Sequence, residues 1–245
     1  MSNVDPIDLF FGAMEKLGPG GKEHTLRVLE MLPKKQFKTI IDAGCGTGLQ
    51  TITLASELQT PVHAIDIHQP FLDSLKERAK AAGVNQFIET HCIDIKDVSA
   101  VFSNIDLLWS EGAAYNIGFN NALEIWAHAI TTGGIVVVSE LAWLTSNIPE
   151  VVKVFFSVAY PEMQHTDQNI RVAENSGYKV LNTYTLPNSA WEENYYDILE
   201  EKALKFSSHP ETAVREFADY TLEEIQIFRR SANSYGYVFY VLQRG

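Results

Sequence analysis

The chain has 245 residues, of which 46% are hydrophobic and 20% charged, as is usual for a folded globular protein. Thirty-one acidic residues against 19 basic ones give a formal net charge of −12, which argues against a nucleic-acid partner, because phosphate binding requires a basic face. The cysteines Cys45 and Cys92 lack metal-ligand spacing, no apolar run reaches transmembrane length, and no basic segment of a secretory signal is present. We therefore expect a cytoplasmic protein that does not bind membranes.

Two helical segments, over residues 5–16 and 22–32, precede the first strand and are separated by the turn Gly18-Pro19-Gly20-Gly21. From there, apolar runs of strand length alternate with segments of helical periodicity, which predicts a parallel sheet. The predicted strands are residues 39–42, 62–67, 87–92, 105–109 and 135–139, the last after a Gly133-Gly134 turn; the helices between them are 49–58, 70–82, 97–102 and 120–130.

This alternation ends after residue 139. Helices are predicted over residues 149–160 and 167–176, and strands over 178–186 and 235–242. The last two strands are separated by residues 187–234, a long, aromatic-rich and mostly helical insertion of the kind that often forms a lid. Because the sequence contains neither a linker nor an internal repeat, we predict one domain over residues 1–245, in which residues 1–36 form an N-terminal helical cap.

Residues 40–48, Ile-Ile-Asp-Ala-Gly-Cys-Gly-Thr-Gly, are the most informative stretch of the chain. A strand that ends in a glycine-rich turn before a helix lets a ligand approach bare backbone. The fingerprint of dinucleotide-binding proteins would place its third glycine at position 49, but Leu49 stands there and the third glycine is Gly48. A nicotinamide-dependent oxidoreductase therefore remains only an alternative.

An acidic residue stands at the end of each of the first five predicted strands, or within two residues of it. Ligands of open parallel sheets bind beyond the carboxyl ends of the strands, so these acids are predicted to surround one site. Asp66 follows Asp42 by 24 residues, close to the spacing at which an acid binds ribose hydroxyls in nucleotide sites. The acids are Asp42, Asp66, Asp94, Glu111 and Glu140.

The pattern Asp-x-Gly-x-Gly-x-Gly at residues 42–48 resembles the first motif of the class I S-adenosylmethionine-dependent methyltransferases, and the resemblance covers nearly the whole chain. It implies an α/β fold: a seven-stranded, Rossmann-like sheet of order 3-2-1-4-5-7-6 with the last strand antiparallel and helices on both faces. A closer resemblance is to a bacterial group of small-molecule methyltransferases, mostly of unassigned substrate. It rests on Gly18-Pro19-Gly20, on residues 109–113 and 115–118, and on Tyr235-Gly236-Tyr237.

The resemblance implies S-adenosylmethionine as cofactor and S-adenosylhomocysteine as product. Asp66 is then expected at the ribose hydroxyls, and Asp94 with the backbone of Ile95 at the adenine. Ile67 and Phe71 are expected to wall the adenine by apolar contact.

The methionine end of the cofactor is expected at the glycine turn. Asp42 would attract its ammonium group directly or through water, and Ser110 and Glu111 lie where the family contacts that ammonium through carbonyls. The predicted cofactor-binding residues are Asp42, Gly44, Cys45, Gly46, Gly48, Asp66, Ile67, Phe71, Asp94, Ile95, Ser110 and Glu111.

The expected reaction is in-line transfer of a methyl group to a small-molecule acceptor. Holding the nucleophile and the methyl group in near-attack geometry contributes about 7–11 kcal/mol, so no catalytic side chain is strictly required. An oxygen or carbon acceptor needs a general base, for which the candidates are Glu111, Tyr115, Glu140, Tyr160 and His165. A non-catalytic protein that only binds the cofactor remains an alternative.

Aromatic side chains are the candidates for contact with the acceptor. The predicted substrate residues are Tyr115, Trp143, Tyr160 and Trp191. Trp143, Trp191, Tyr195 and Tyr196 would wall an apolar or a cationic acceptor, or else are ordinary packing within the lid. His63, His68 and His91 lack ligand-like spacing in the sequence, so no metal site is predicted. A monomer and a homodimer are both compatible with the sequence.

Overall fold

One sheet organises the chain in the computed structural model, which describes residues 5–245. Its strands are β1 (Ile40–Ala43), β2 (Val62–Asp66), β3 (Ile88–Cys92), β4 (Ile105–Ser110), β5 (Ile130–Trp143), β6 (Gln164–His165), β7 (Tyr178–Thr185) and β8 (Tyr235–Arg244). They pair in the order β3-β2-β1-β4-β5-β8-β7, with β8 antiparallel to both neighbours and the two-residue β6 beside the end of β5. Apart from β6, this confirms the strand order predicted from the sequence.

Helices cover the sheet and extend both ends of the alternating core. They are α1 (Pro6–Phe11), α2 (Lys22–Glu30), α3 (Leu49–Leu58), α4 (Gln69–Ala81), α5 (Val98–Val101), α6 (Phe119–Ala127), α7 (Glu150–Ala159), α8 (Thr166–Asn175), α9 (Ser189–Trp191), α10 (Asp197–Phe206) and α11 (Thr212–Ser231). No helix within residues 5–245 combines the length and apolar character needed to cross a membrane.

Two predicted boundaries are wrong. The first helix ends at Phe11 rather than at residue 16. The segment that follows is held to the glycine turn, where the Thr47 hydroxyl donates to the carbonyl groups of Met14 and Glu15. The predicted turn at Gly133-Gly134 lies inside β5. That strand continues to residue 143, because its second half pairs with β8 over nine residues.

Both faces of the central strands are buried, as a parallel sheet requires. Alternate residues of β5 belong to different cores: Ile135 and Val137 pack on one side, Val136 and Val138 on the other. The apolar runs seen in the sequence are therefore explained by helices on both faces of the sheet.

The N-terminal segment and the 187–234 insertion contact each other. Phe10 is fully buried, with its ring centroid 5.4 Å from that of Phe206 and 4.8 Å from that of Phe217. The Lys202 ammonium donates a hydrogen bond to the carbonyl of Phe10. Helix α1 is thus held against α10 and α11, on the side of the sheet where the strands end.

Candidate active site

A cavity of about 820 Å³ lies beyond the carboxyl ends of the parallel strands. It is lined by the loops that follow β1, β2, β3 and β4, by the N-terminal segment, and by the 187–234 insertion with β8. Its volume falls in the range of about 300–1,000 Å³ that is typical of small-molecule sites. Ligand binding at this edge of an open sheet follows the general rule for such folds.

The glycine turn forms the floor of one half of this cavity. Gly44 has φ +78°, and a Cβ there would lie 2.2 Å from the Cβ of Ala113, which follows β4. Gly48 has φ +88°, but its missing Cβ makes room for Leu75 of α4, at 2.1 Å. Gly44, Cys45 and Gly46 line the cavity, whereas Gly48 lies outside it and packs α3 against α4.

Asp66 lies at the end of β2 and lines the cavity. Its two carboxylate oxygens accept backbone hydrogen bonds from Gly46 and His68, both at 2.9 Å. Each oxygen keeps a lone pair for a ligand hydroxyl.

Two apolar residues lie beside Asp66 in the chain. Ile67 is 69% exposed and Phe71 is buried, and both line the cavity. An apolar side chain so exposed in a cavity is available for contact with a flat ring.

Asp94 and Ile95 line the cavity after β3. The Asp94 carboxylate accepts a hydrogen bond from the backbone N–H of Lys96 at 3.0 Å and forms a 3.0 Å ion pair with the Lys96 ammonium. The backbone hydrogen bond, with the Lys96 side chain, lowers the pKa of Asp94. This carboxylate is therefore held in its ionised form.

Glu111 joins the N-terminal cap to the site. Its buried carboxylate accepts hydrogen bonds from the Trp109 indole at 2.7 Å and the Thr25 hydroxyl at 2.9 Å. The Lys16 ammonium forms an ion pair with it at 2.5 Å. Glu111 and Lys16 both line the cavity. Both oxygens have partners and one is paired with a cation, and the side chain is buried, which does not favour the role of a general base.

Asp42 and Ser110 lie behind the glycine turn and not on the cavity wall. The Thr51 hydroxyl donates to one oxygen of the fully buried Asp42 at 2.5 Å, while the other oxygen has no partner within the described part of the chain. Burial raises the pKa of Asp42 to about 7. Ser110 donates to the carbonyl of Ala43 at 2.9 Å. Both side chains support the turn, and any effect of Asp42 on a ligand is indirect.

The other half of the cavity is lined by aromatic rings from distant parts of the chain. Tyr115 belongs to the 3-10 turn Ala114–Asn116, Trp191 and Tyr195 to the insertion, and Tyr235 and Tyr237 to β8. The rings of Trp191 and Tyr237 stack with centroids 5.4 Å apart. This arrangement confines that half of the cavity between flat, largely apolar surfaces.

Glu224, on α11, is the ionisable residue of this half that sequence reasoning missed. The Tyr196 hydroxyl donates to its carboxylate at 2.8 Å, and burial raises the pKa of Glu224. Residues 221, 225 and 228 mark the buried stripe of α11, and position 224 falls on it. An acid on the apolar face of an amphipathic helix was the signal in the sequence.

Besides Asp42 and Ser110, four further predicted side chains lie away from this cavity: those of Glu140, Tyr160, Trp143 and His165. Ser139 and Leu141 face it, so strand alternation turns Glu140 to the opposite side. There Glu140 and Tyr160 line a second cavity of about 400 Å³. The Trp143 indole donates to the carbonyl of Met163 at 3.0 Å. His165 caps the start of α8.

Burial raises the pKa of Glu140 to about 7, against the opposing effect of the Tyr160 hydroxyl. Neither carboxyl oxygen is in a well-formed hydrogen bond with any residue that the structure describes. Glu140 is thus a buried, weakly solvated acid separated from the glycine turn, and its position does not favour the role of base in the larger cavity.

Three residues at the β2–β3 edge come together although they are far apart in sequence. His63 Nδ1 and His91 Nε2 lie 3.1 Å apart, and the candidate ligand atoms of His63, Glu89 and His91 all lie within 4.8 Å of one another. The spacing of the histidines in the sequence predicted no metal site, and this stays a prediction. It did not reveal that pairing of β2 with β3 brings His63 and His91 together. Burial lowers the pKa of His63, which favours its neutral form.

The sequence comparisons agree with this geometry. Residues 40–134 match the family model described as "Methyltransferase domain". Over 86 residues the chain is 31% identical to the dimethylglycine N-methyltransferase of Parasynechococcus marenigrum (strain WH8102), a match that covers 35% of this chain and 31% of that protein. The matched part is thus about a third of the length of this curated relative.

Two solved structures share the fold from end to end. An S-adenosylmethionine-dependent methyltransferase from Geobacter sulfurreducens, in complex with S-adenosylhomocysteine, has a TM-score of 0.82, 17% identity and 100% coverage of both chains. One from Thiobacillus denitrificans, in complex with the same molecule, has a TM-score of 0.82, 18% identity and the same coverage. The fold is that of the class I S-adenosylmethionine-dependent methyltransferases. The match of residues 40–134 to the methyltransferase domain model agrees with the resemblance drawn from the sequence.

Proposed function

We propose that the protein transfers the methyl group of S-adenosylmethionine to a small-molecule acceptor and releases S-adenosylhomocysteine. One observation carries this proposal: the glycine turn, Asp66 and Asp94 line one half of a cavity whose other half is aromatic. The fold alone does not decide an activity. Two structural relatives hold S-adenosylhomocysteine and a curated relative is a dimethylglycine N-methyltransferase, which supports both the cofactor and the class of acceptor.

The residues present fit the adenosine part of this cofactor. The remaining lone pairs of Asp66 suit the two ribose hydroxyls. Exposed Ile67 and buried Phe71 offer apolar contact to the adenine, and ionised Asp94 is suited to accept from its amino group. These roles stay predictions.

The methionine part fits the glycine turn. A side chain at Gly44 would clash, so bare backbone forms the cavity floor there. The partnerless oxygen of Asp42, behind the turn, supplies negative charge near an ammonium group once it is ionised. Bound here, the cofactor supplies an electrophilic sulfonium methyl group. The work left to the chain is to orient the acceptor and exclude water.

Calorimetric titration with S-adenosylhomocysteine tests the cofactor site. We expect saturable binding to the wild type and at least tenfold weaker binding to Asp66→Ala, which loses the ribose contacts and the hydrogen bond to Gly46. Asp73→Ala is the matched control, because Asp73 is exposed on α4 and lies outside the cavity. Absence of binding to the wild type, or equal binding to Asp66→Ala, would contradict the proposal.

Transfer itself needs a separate measurement. The wild type is incubated with cofactor labelled on the methyl group and a pool of small metabolites, and labelled products are counted against an Asp66→Ala sample. We expect label in small molecules with the wild type alone. Cofactor binding without any transfer would favour the non-catalytic alternative, and binding of NADH in place of S-adenosylhomocysteine would favour an oxidoreductase.

A further inference from the structure

We infer that Glu224 and the aromatic rings around it recognise an alkylammonium group, so that the acceptor is an amine. On transfer the ammonium gives its proton to the Glu224 carboxylate, the freed nitrogen lone pair forms the bond to the methyl carbon, and the carbon–sulfur bond breaks to release S-adenosylhomocysteine. This inference rests on the proposed function and names the acceptor class of the same cavity. Sequence reasoning left an apolar and a cationic acceptor equally open for the aromatic residues of the insertion. The position of Glu224 decides between them.

Glu224 brings a carboxyl group into the aromatic half of the cavity, and a cationic ligand would favour its charged form. It lies on α11 and lines the cavity. The Tyr196 hydroxyl is the donor that holds its carboxylate, at 2.8 Å. One neutral hydroxyl leaves most of the acceptor capacity of a carboxylate unused.

No cationic side chain of residues 5–245 forms an ion pair with Glu224. The two basic residues of the cavity are engaged elsewhere: Lys16 pairs with Glu111 at 2.5 Å, and His68 lies 2.8 Å from Asp8. A carboxylate in a largely apolar enclosure without a countercharge is costly. A cationic ligand would remove that cost, whereas a neutral or anionic ligand would not.

The rings around Glu224 suit the same ligand. Tyr115, Tyr195, Tyr235, Tyr237 and Trp191 line this half of the cavity, and the electron-rich faces of such rings attract alkylammonium ions. The five-residue π-helical turn Glu192–Tyr196 positions one of them, Tyr195. It places Tyr195 on the cavity wall and lets Tyr196 reach Glu224. Such turns occur frequently at functional sites.

Two polar atoms here have no partner within the described residues, the indole N–H of Trp191 and the hydroxyl of Tyr235, although both side chains are at least 96% buried. Buried donors are normally satisfied. Their presence beside Glu224 predicts that the amine also carries an oxygen that accepts hydrogen bonds. The combination describes a small amine with a hydroxyl or carboxylate group.

The test measures probe binding by calorimetry in the presence of S-adenosylhomocysteine. The cationic probes are N,N-dimethylethanolamine and choline, and the neutral probe is 3,3-dimethyl-1-butanol, which has the shape of choline without its charge. We expect at least one cation to bind the wild type at least tenfold more tightly than the neutral alcohol. Glu224→Gln should bind that cation at least tenfold more weakly, since it loses the charge but keeps an oxygen for the Tyr196 hydroxyl.

Glu223→Gln is the matched control, because Glu223 is the exposed neighbour on the same helix. It should bind the cation within twofold of the wild type, and both variants should bind S-adenosylhomocysteine normally, which also shows that they are folded. The inference is overturned if no cation binds, if the neutral alcohol binds equally well, or if Glu224→Gln binds like the wild type. Label transferred to alcohols but not to amines would overturn it while sustaining methyl transfer. Failure of the wild type to bind S-adenosylhomocysteine would instead contradict the proposed function.

Discussion

The two halves of the large cavity differ in the groups that line them. The half at the glycine turn is formed by backbone and by acids at strand ends, and each part of it comes from a short stretch of chain. The aromatic half is formed by side chains of the loop after β4, β5, the 187–234 insertion and β8. Some of its residues, such as Tyr115 and Tyr237, are more than 100 positions apart in the sequence.

This difference explains how specific each half can be. A floor of backbone is dictated by the conformation of one turn, so it tolerates little change and binds one kind of ligand. A wall of side chains on an insertion can be altered one residue at a time without disturbing the sheet. We infer that the turn determines the cofactor and that the insertion determines the acceptor.

The largest expected effect is at Gly44. Gly44→Ala should destabilise the protein by about 4 kcal/mol, because it combines backbone strain with a clash against Ala113, and it should abolish binding of S-adenosylhomocysteine. Gly83→Ala is the control: Gly83 has φ +71° but nothing within 4 Å of its Cβ position. It should cost only about 1–2 kcal/mol. Equal unfolding free energies in urea would show that the turn is not sterically constrained.

A second prediction concerns Glu140, the buried acid beneath the aromatic half. Its folded-state pKa of about 7 lies above the usual carboxyl value. The raised pKa adds to the free energy of unfolding. This contribution is present in full below about pH 4.5 and is lost as the pH rises to about 7, because the buried Glu140 carboxyl group must then ionise. Glu140→Gln does not ionise. Relative to wild type it should gain about 3 kcal/mol of unfolding free energy between pH 4 and pH 8.

Urea unfolding at several pH values measures this difference. The exposed Glu174 of α8 provides the comparison variant, Glu174→Gln, whose stability relative to wild type should hardly change with pH. A flat profile for Glu140→Gln would mean that the Glu140 carboxyl group is well solvated or well paired.

The smallest expected effect is on the outer surface of the insertion. Arg229 pairs with Glu200 at 2.7 Å and with Glu192 at 3.1 Å, which joins α11 to α10 and the π-helical turn. Arg229→Ala should cost at most about 1 kcal/mol, since the pairs are partly exposed, and less in about 1 M salt. Arg230→Ala, which removes the exposed neighbouring charge, is the control. A loss well above that of the control and insensitive to salt would make these contacts part of the core.

Sequence reasoning succeeded where structure depends on neighbours in the chain. The βα turn at 42–48 and the acids Asp66 and Asp94 at the cavity were accessible, because they follow from local periodicity and the general geometry of parallel sheets. The strand order came from the resemblance to the class I methyltransferases. The bounds of α3, Leu49–Leu58, match the predicted 49–58.

It failed where distant segments decide the outcome. Glu140 follows a predicted strand end as Asp66 does, but β5 continues past it and the alternation of that strand turns Glu140 into another cavity. His63 and His91 meet only because β2 and β3 pair. Glu224 acquires its role from Tyr196 and from rings on β8, none of which its own stretch of sequence reveals.

Trp191 has a practical consequence. Of the four tryptophans, it alone lines the cavity within the described chain. The indole N–H groups of Trp109, Trp126 and Trp143 already donate to protein oxygens, whereas that of Trp191 has no partner among residues 5–245. Indole emission responds to hydrogen bonding and to stacked rings. The intrinsic fluorescence of the protein should therefore change when an acceptor enters, which provides a label-free screen for its natural substrate.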